Sequence, residues 1–135
     1  MAERVAGFLA TQGVEANQRV VLCCENRPEW AATYFGIQWA GLTAVPLDQA
    51  ATPEEVFNVA EACDAAGVIL SPSVIERLKE SSKWEMIAEQ SSTPLWSMPD
   101  LVNCKTPQKK AKDPARLASI IYTSGTTGKP KGVML

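Results

Sequence analysis

The chain reads as an α/β protein built on a mostly parallel sheet flanked by helices, and three observations predict this. Short apolar runs alternate with helical patterns in the order β-α-β-α-β-α. With links this short, that order calls for crossover units and therefore parallel strands. The runs are continuous rather than alternating, as strands buried on both faces are. Finally, 135 residues with 46% hydrophobic and 21% charged side chains are enough for one domain with its own core.

Taken in order, residues 1–12 place Val5, Phe8 and Leu9 at i, i+3 and i+4, opposite Glu3 and Arg4. That spacing predicts an amphipathic helix, with Gly13 as its stop. Arg19-Val20-Val21-Leu22-Cys23-Cys24 is the first strand. Asn26 as a cap candidate, Pro28 in the first turn and the early acid Glu29 open a second helix. It carries Trp30, Ala31, Tyr34, Phe35, Ile37 and Trp39, so it is apolar on most sides and ends at Gly41. If nothing packs on one of its faces, that face is an exposed patch that favours association. Thr43-Ala44-Val45-Pro46-Leu47-Asp48 is the second strand, and Pro46 points to a strand end or a sheet edge.

Thr52-Pro53-Glu54-Glu55 spells a capping box with proline at the first helical position, followed by Val56, Val59, Ala60 and Cys63 on one face. Gly67 is expected to close this helix, and Val68-Ile69-Leu70 is the third strand. Ser73-Val74-Ile75-Glu76 then reads as a second capping box, opening a helix to about Ser81. From 82 to 112 the pattern weakens, apart from a strand at 94–97. Residues 101–116, with their lysines set between prolines, are expected to form a linker within the domain. Residues 117–122 are a strand, and another begins at Gly132. No internal repeat is visible.

Composition excludes several function classes. No apolar run is long enough to span a bilayer, and the N-terminus has no basic region followed by an apolar core, so a cytoplasmic setting is expected. The chain has no histidine, which removes Cys/His zinc sites and histidine-based nucleophilic machinery. Cys23, Cys24, Cys63 and Cys104 have no metal-ligand spacing and are expected to be buried, reduced thiols. The net charge of −2 hides an asymmetry: residues 1–100 carry 6 basic against 14 acidic groups, whereas 101–135 carry 7 against 1. The basic stretch 105–114 lacks interleaved aromatics, so it is read as solvated chain and no nucleic-acid partner is expected.

The sign change precedes the one stretch that spells out chemistry, Ile121-Tyr122-Thr123-Ser124-Gly125-Thr126-Thr127-Gly128-Lys129-Pro130-Lys131-Gly132. Glycines let backbone N–H groups approach a ligand closely, hydroxyls add donors without bulk, and lysines bring compact positive charge. Together they suit the oxygens of a nucleotide polyphosphate. The spacing is not that of a Walker A loop, because Gly125 and Gly128 are too close and Pro130 follows Lys129.

Over its whole length this string resembles the phosphate-binding signature of the adenylate-forming (AMP-binding) enzymes: acyl-CoA synthetases, luciferases and the adenylation domains of peptide synthetases. Glu25-Asn26-Arg27-Pro28-Glu29-Trp30 and Ala40-Gly41-Leu42-Thr43-Ala44-Val45-Pro46-Leu47-Asp48 are similar to the N-terminal region of that family. The resemblance thus covers nearly all of 1–135, as the N-terminal portion of the family's large domain. The Asn26–Trp30 string leans toward long-chain acyl-CoA synthetases. So does Thr126, where peptide-synthetase domains usually carry serine.

The resemblance implies a two-step reaction. ATP and a carboxylic acid, a fatty acid for the long-chain type, give an acyl-adenylate and pyrophosphate, and the thiol of coenzyme A then displaces AMP. It assigns the ATP phosphates, with Mg²⁺ sharing their charge, to Thr123, Ser124, Gly125, Thr126, Thr127, Gly128, Lys129 and Lys131. Lys131 is expected to touch phosphate directly, whereas Lys129 either does so or is solvated. The family's adenine, ribose and acyl sites and its catalytic lysine lie downstream. The expectation is therefore a fragment cut just after the loop, inactive alone and without catalytic residues of its own. Two alternatives remain open at this point: a domain that loads a carrier protein, and a non-catalytic nucleotide- or partner-binding module. Peripheral membrane association of the parent protein and its oligomeric state are open as well.

Overall fold

The computed structural model describes the backbone of residues 1–124 and 130–135, with side chains for 1–122 and 132–135. Four strands form a parallel sheet in the order β2-β1-β3-β4: β1 (Arg19–Cys23), β2 (Thr43–Leu47), β3 (Gly67–Leu70) and β4 (Leu95–Ser97). Helices α1 (Ala2–Thr11), α2 (Pro28–Trp39) and α6 (Met98–Val102) cover one face. On the other lie α3 (Pro53–Ala62), α4 (Pro72–Lys79) and α5 (Trp84–Gln90).

The strand side chains alternate between the two cores. Val20, Leu22, Ala44 and Ile69 join Val5, Leu9, Ile37 and Leu101, while Val21, Cys23, Val45, Val68 and Leu70 join Val56, Val59, Val74 and Leu78. Both faces of β1, β2 and β3 are therefore apolar, which is why the sequence shows continuous rather than alternating runs. Pro46 sits in β2 at the edge of this sheet, where a missing N–H costs no ladder bond.

Helix boundaries follow local chemistry. The capping box of α3 forms as expected: Glu55 N–H donates to the Thr52 hydroxyl at 3.2 Å, and Thr52 N–H donates to the Glu55 carboxylate at 2.8 Å. Gly13 and Gly41 end α1 and α2 in the left-handed region, with φ of 74° and 76°. Three expectations are corrected. The cap of α2 is Arg27 rather than Asn26, and it makes no side-chain cap bond; its guanidinium pairs instead with Glu25 at 3.0 Å and Glu29 at 2.8 Å. Gly67 does not close α3. The left-handed residue after that helix is Asp64, φ 50°, and Gly67 opens β3, where any Cβ would overlap the Trp96 ring. The box at Ser73–Glu76 does not form, because Ser71 is the cap of α4 and Pro72 takes the first helical position.

Among the described residues two helices escaped the sequence pattern, α5 and α6; they are short and anchored by the buried Trp84 and Leu101. Residues 101–102 of the expected linker end α6. The rest runs without helix or strand, tied by Gln108 N–H to the Glu3 carbonyl and by Ala111 N–H to the Trp39 carbonyl, both at 2.9 Å. Gly7 and Gly41 have no Cβ because this strap passes directly over them. On α2, Phe35 remains 59% exposed, while Trp30 and Tyr34 stack on each other at 5.1 Å.

Candidate nucleotide-phosphate site

The site begins where the strap meets the sheet. Thr43, the first residue of β2, donates its hydroxyl to the Leu117 carbonyl at 2.7 Å, and Ala44 N–H donates to the Ala118 carbonyl at 3.1 Å. A single parallel bridge, Ala44 to Ser119, completes the junction. The chain then leaves the parallel sheet as β5 (Ile120–Ser124) and pairs antiparallel with β6 (Pro130–Met134). This corrects two expectations. The strand expected at 117–122 begins at Ile120, as the first arm of a hairpin, and the last strand starts at Pro130, before Gly132.

The hairpin is seated by one face. Ile120 is buried in the core that holds Val59, Ala60 and Cys63, and Tyr122 packs against it; burial pushes the Tyr122 phenol up. Gly132 stands opposite Tyr122, and a Cβ there would lie 3.0 Å from Ile120 Cγ2 and 3.3 Å from the Tyr122 ring, so the glycine keeps room for both side chains. Ile121 and Val133, paired across the ladder, point outward at 41% and 50% exposure.

Of the residues expected to bind phosphate, the register brings the backbones of Thr123 and Lys131 directly opposite each other, with Ser124 opposite Pro130. Gly125, Thr126, Thr127, Gly128 and Lys129 lie outside the described residues. Sequence reasoning missed the residues at the hairpin's root. Asn17, held at φ 64°, accepts from Arg116 N–H through its side-chain oxygen at 2.9 Å. Arg19 closes the end of α3, donating Nε to the Cys63 carbonyl at 2.7 Å and Nη2 to that of Asp64 at 3.1 Å. A lone Asn before an apolar run was the only available signal, and it also fits an ordinary turn.

A second polar cluster lies at the opposite end of the sheet, beyond β1 and β3. Burial alone would raise the Glu25 carboxyl. Hydrogen bonds from Ser71, its own backbone, Ser73 and Arg27 outweigh that and hold it at about 2. A cleft of about 450 Å³ beside it is lined by Arg4, Arg27, Met98, Val102 and Asn103 among others. The thiols follow burial: Cys23 is pushed up to about 12, and Cys24 and Cys63 to about 11, whereas hydrogen bonds from Thr106 lower half-buried Cys104. Among the described residues no group of three or more Cys, Asp or Glu could hold a metal ion. No helix there is long and apolar enough to cross a membrane.

Known proteins share this arrangement. A family model described as AMP-binding enzyme matches residues 1–135. Gramicidin S synthase 2 of Aneurinibacillus migulanus is 33% identical over 135 residues, covering 99% of this chain and 3% of its own length. A 2-succinylbenzoate–CoA ligase of Listeria innocua is 32% identical over 133 residues, covering 98% of this chain and 26% of its own. In fold, fatty acyl-adenylate ligases from E. coli and L. pneumophila superpose with a TM-score of 0.80 at 23% identity, over 99% of this chain and 24% of theirs. The chain thus spans about a quarter or less of the length of each of these proteins. Most of the similar relatives are peptide synthases and CoA ligases are also represented, so the lean toward a long-chain synthetase gains no support from them.

Proposed function

The chain belongs to the AMP-binding enzyme family, and on that footing we propose that its parent protein is an ATP-dependent, adenylate-forming ligase acting on a carboxylic acid. The carboxylate oxygen bonds to the α-phosphorus of ATP as the bond to pyrophosphate breaks. A thiol then attacks the acyl carbon, releasing AMP and leaving a thioester.

The observation that carries this reading is the hairpin. Its antiparallel register draws the two arms of the Thr- and Lys-rich string together, with Thr123 opposite Lys131. On this reading donors from both arms serve one polyphosphate. In this role Thr123, Ser124, Gly125, Thr126, Thr127, Gly128 and Lys131 bind the β- and γ-phosphates, with Lys129 at the exit of the loop. Fixed donors of this kind stabilise the charge that develops on the leaving pyrophosphate. Mg²⁺ would share the charge of those phosphates when bound.

For the thiol we favour coenzyme A, with a fatty acid as first candidate substrate on the strength of Thr126 and the Asn26–Trp30 string. The match to a peptide synthase at 33% identity favours a second reading, in which the acceptor is the thiol of a carrier protein. Carboxylate-dependent ATP–pyrophosphate exchange by the full-length protein, run over fatty, aryl and amino acids, tests the first step. Thioester formation on coenzyme A or on a carrier domain separates the acceptors. Nucleotide binding without exchange on any acid would overturn the ligase reading in favour of a non-catalytic module. The 135-residue chain alone is expected to show no exchange.

A further inference from the structure

We propose that Thr43 and Asn17 are positioning residues for the nucleotide phosphates: from the edge of the parallel sheet they fix the root of the hairpin that carries the phosphate loop. The inference rests on the nucleotide-binding reading above and adds to it residues outside the loop string.

Thr43 is 2% exposed, so its hydroxyl has no water to bond with, and its partner is the Leu117 carbonyl at 2.7 Å. Strand formation does not need that hydroxyl, because valine would serve β2 equally well through its branched Cβ. Its contribution is to the segment that becomes β5. Asn17 complements it one residue earlier on the strap, accepting from Arg116 N–H at 2.9 Å while its own N–H donates to the Gly41 carbonyl at 3.0 Å. A non-glycine residue in the left-handed region is strained, and Asn is among the few that tolerate it.

Residues 116, 117 and 118 are therefore gripped in succession by Asn17, the Thr43 side chain and Ala44 N–H. Beyond the bridge at Ser119, β5 takes β6 as its ladder partner, and among the described residues no further bridge to β2 follows. The root is thus the last place where the main sheet sets the direction and register of β5. A loop that binds phosphate through backbone donors is sensitive to small displacements of its base. Slackening the root should therefore weaken ATP binding more than carboxylate binding.

The test uses the full-length protein with Thr43→Val, Thr43→Ser and Asn17→Gly. Glycine at 17 keeps the left-handed backbone and removes only the side-chain acceptor. In ATP–pyrophosphate exchange, Thr43→Val and Asn17→Gly are each expected to raise KM for ATP about fivefold, the equivalent of one hydrogen bond. KM for the carboxylate should stay unchanged, and Thr43→Ser should restore the wild-type value. Hydrogen exchange should quicken at the Ser119 and Leu135 amides, which bond each other's carbonyls at the root, and not at Val21 in the sheet centre. An unchanged KM for ATP in both variants, beside an active wild type, would overturn the proposal alone. An equal loss for both substrates with a lowered thermal midpoint would overturn it in favour of a purely structural role. No exchange by the wild type would overturn the nucleotide reading, and this proposal with it.

Discussion

Replacing Gly67 with alanine tests the packing of the α1/α2/α6 face. The backbone at 67 is not in the left-handed region, so alanine is conformationally allowed, and restricting the unfolded chain would by itself stabilise by about 0.4–1 kcal/mol. Packing opposes this. The new Cβ would overlap Cη2, Cζ3 and Cζ2 of Trp96, the farthest of the three at 2.7 Å against an ordinary contact of 3.4–4 Å. The indole cannot withdraw freely: it is 8% exposed and Phe8 meets it edge-on at 5.9 Å. Overpacking of this kind costs about 1–3 kcal/mol, so the net expected loss is about 1–2 kcal/mol. Phenylalanine at 96 lacks the three offending atoms. In a Trp96→Phe background, Gly67→Ala should therefore be neutral or slightly stabilising, a coupling of about 1–2 kcal/mol. Urea unfolding of the 135-residue chain and its three variants, followed by far-UV circular dichroism because tryptophan emission is itself altered, measures the cycle. Additivity within about 0.5 kcal/mol would refute the assignment of Gly67 to space-making for Trp96.

Three other outcomes follow from the geometry. Thr52→Ala removes one half of the α3 capping box and should cost about 1 kcal/mol in the same unfolding assay, with Thr52→Ser close to wild type. Glu25 is held at about 2 when folded against an ordinary 4.5, so its contribution is complete above about pH 4.5 and is lost as pH falls toward 2. Discounted for its partial exposure, that is about 1–2 kcal/mol, and Glu25→Gln should flatten the acid limb of the stability curve by this amount; parallel limbs would contradict it. Alkylation at neutral pH should modify Cys104 first, because hydrogen bonds lower its thiol while burial raises the other three, and peptide mapping of a single-hit sample would reveal any other order.

How much of this was legible beforehand depended on the range of the interactions involved. The α3 box was readable because its two partners are three residues apart, and the parallel strands were readable because burial on both faces leaves an uninterrupted apolar run. Gly67 was misread because a glycine after a helix and a glycine under an indole look alike in sequence; only the pairing of β3 with β4 brings Trp96 across it. Ser71 and Ser73 compete for the same cap, and a partner distant in sequence, Glu25, bonds the former.

The same limit applies to the candidate site, with a functional consequence. The loop string announces its chemistry locally, since glycines, hydroxyls and lysines act where they stand. The residues proposed to position it do not: Asn17 and Thr43 are ordinary turn and strand residues until the fold brings Arg116 and Leu117 to them. A phosphate loop on a two-stranded hairpin has little stiffness of its own, because an isolated hairpin is marginal in water. Its precision must be borrowed from a larger body. On the proposed reading the lender is the four-stranded sheet, through the successive bonds from Asn17 before β1 and from Thr43 and Ala44 of β2, and through the seating of Ile120 and Tyr122 on the α3 face. Substitutions at the root should therefore alter nucleotide binding without touching the signature, and a search confined to the signature would miss them.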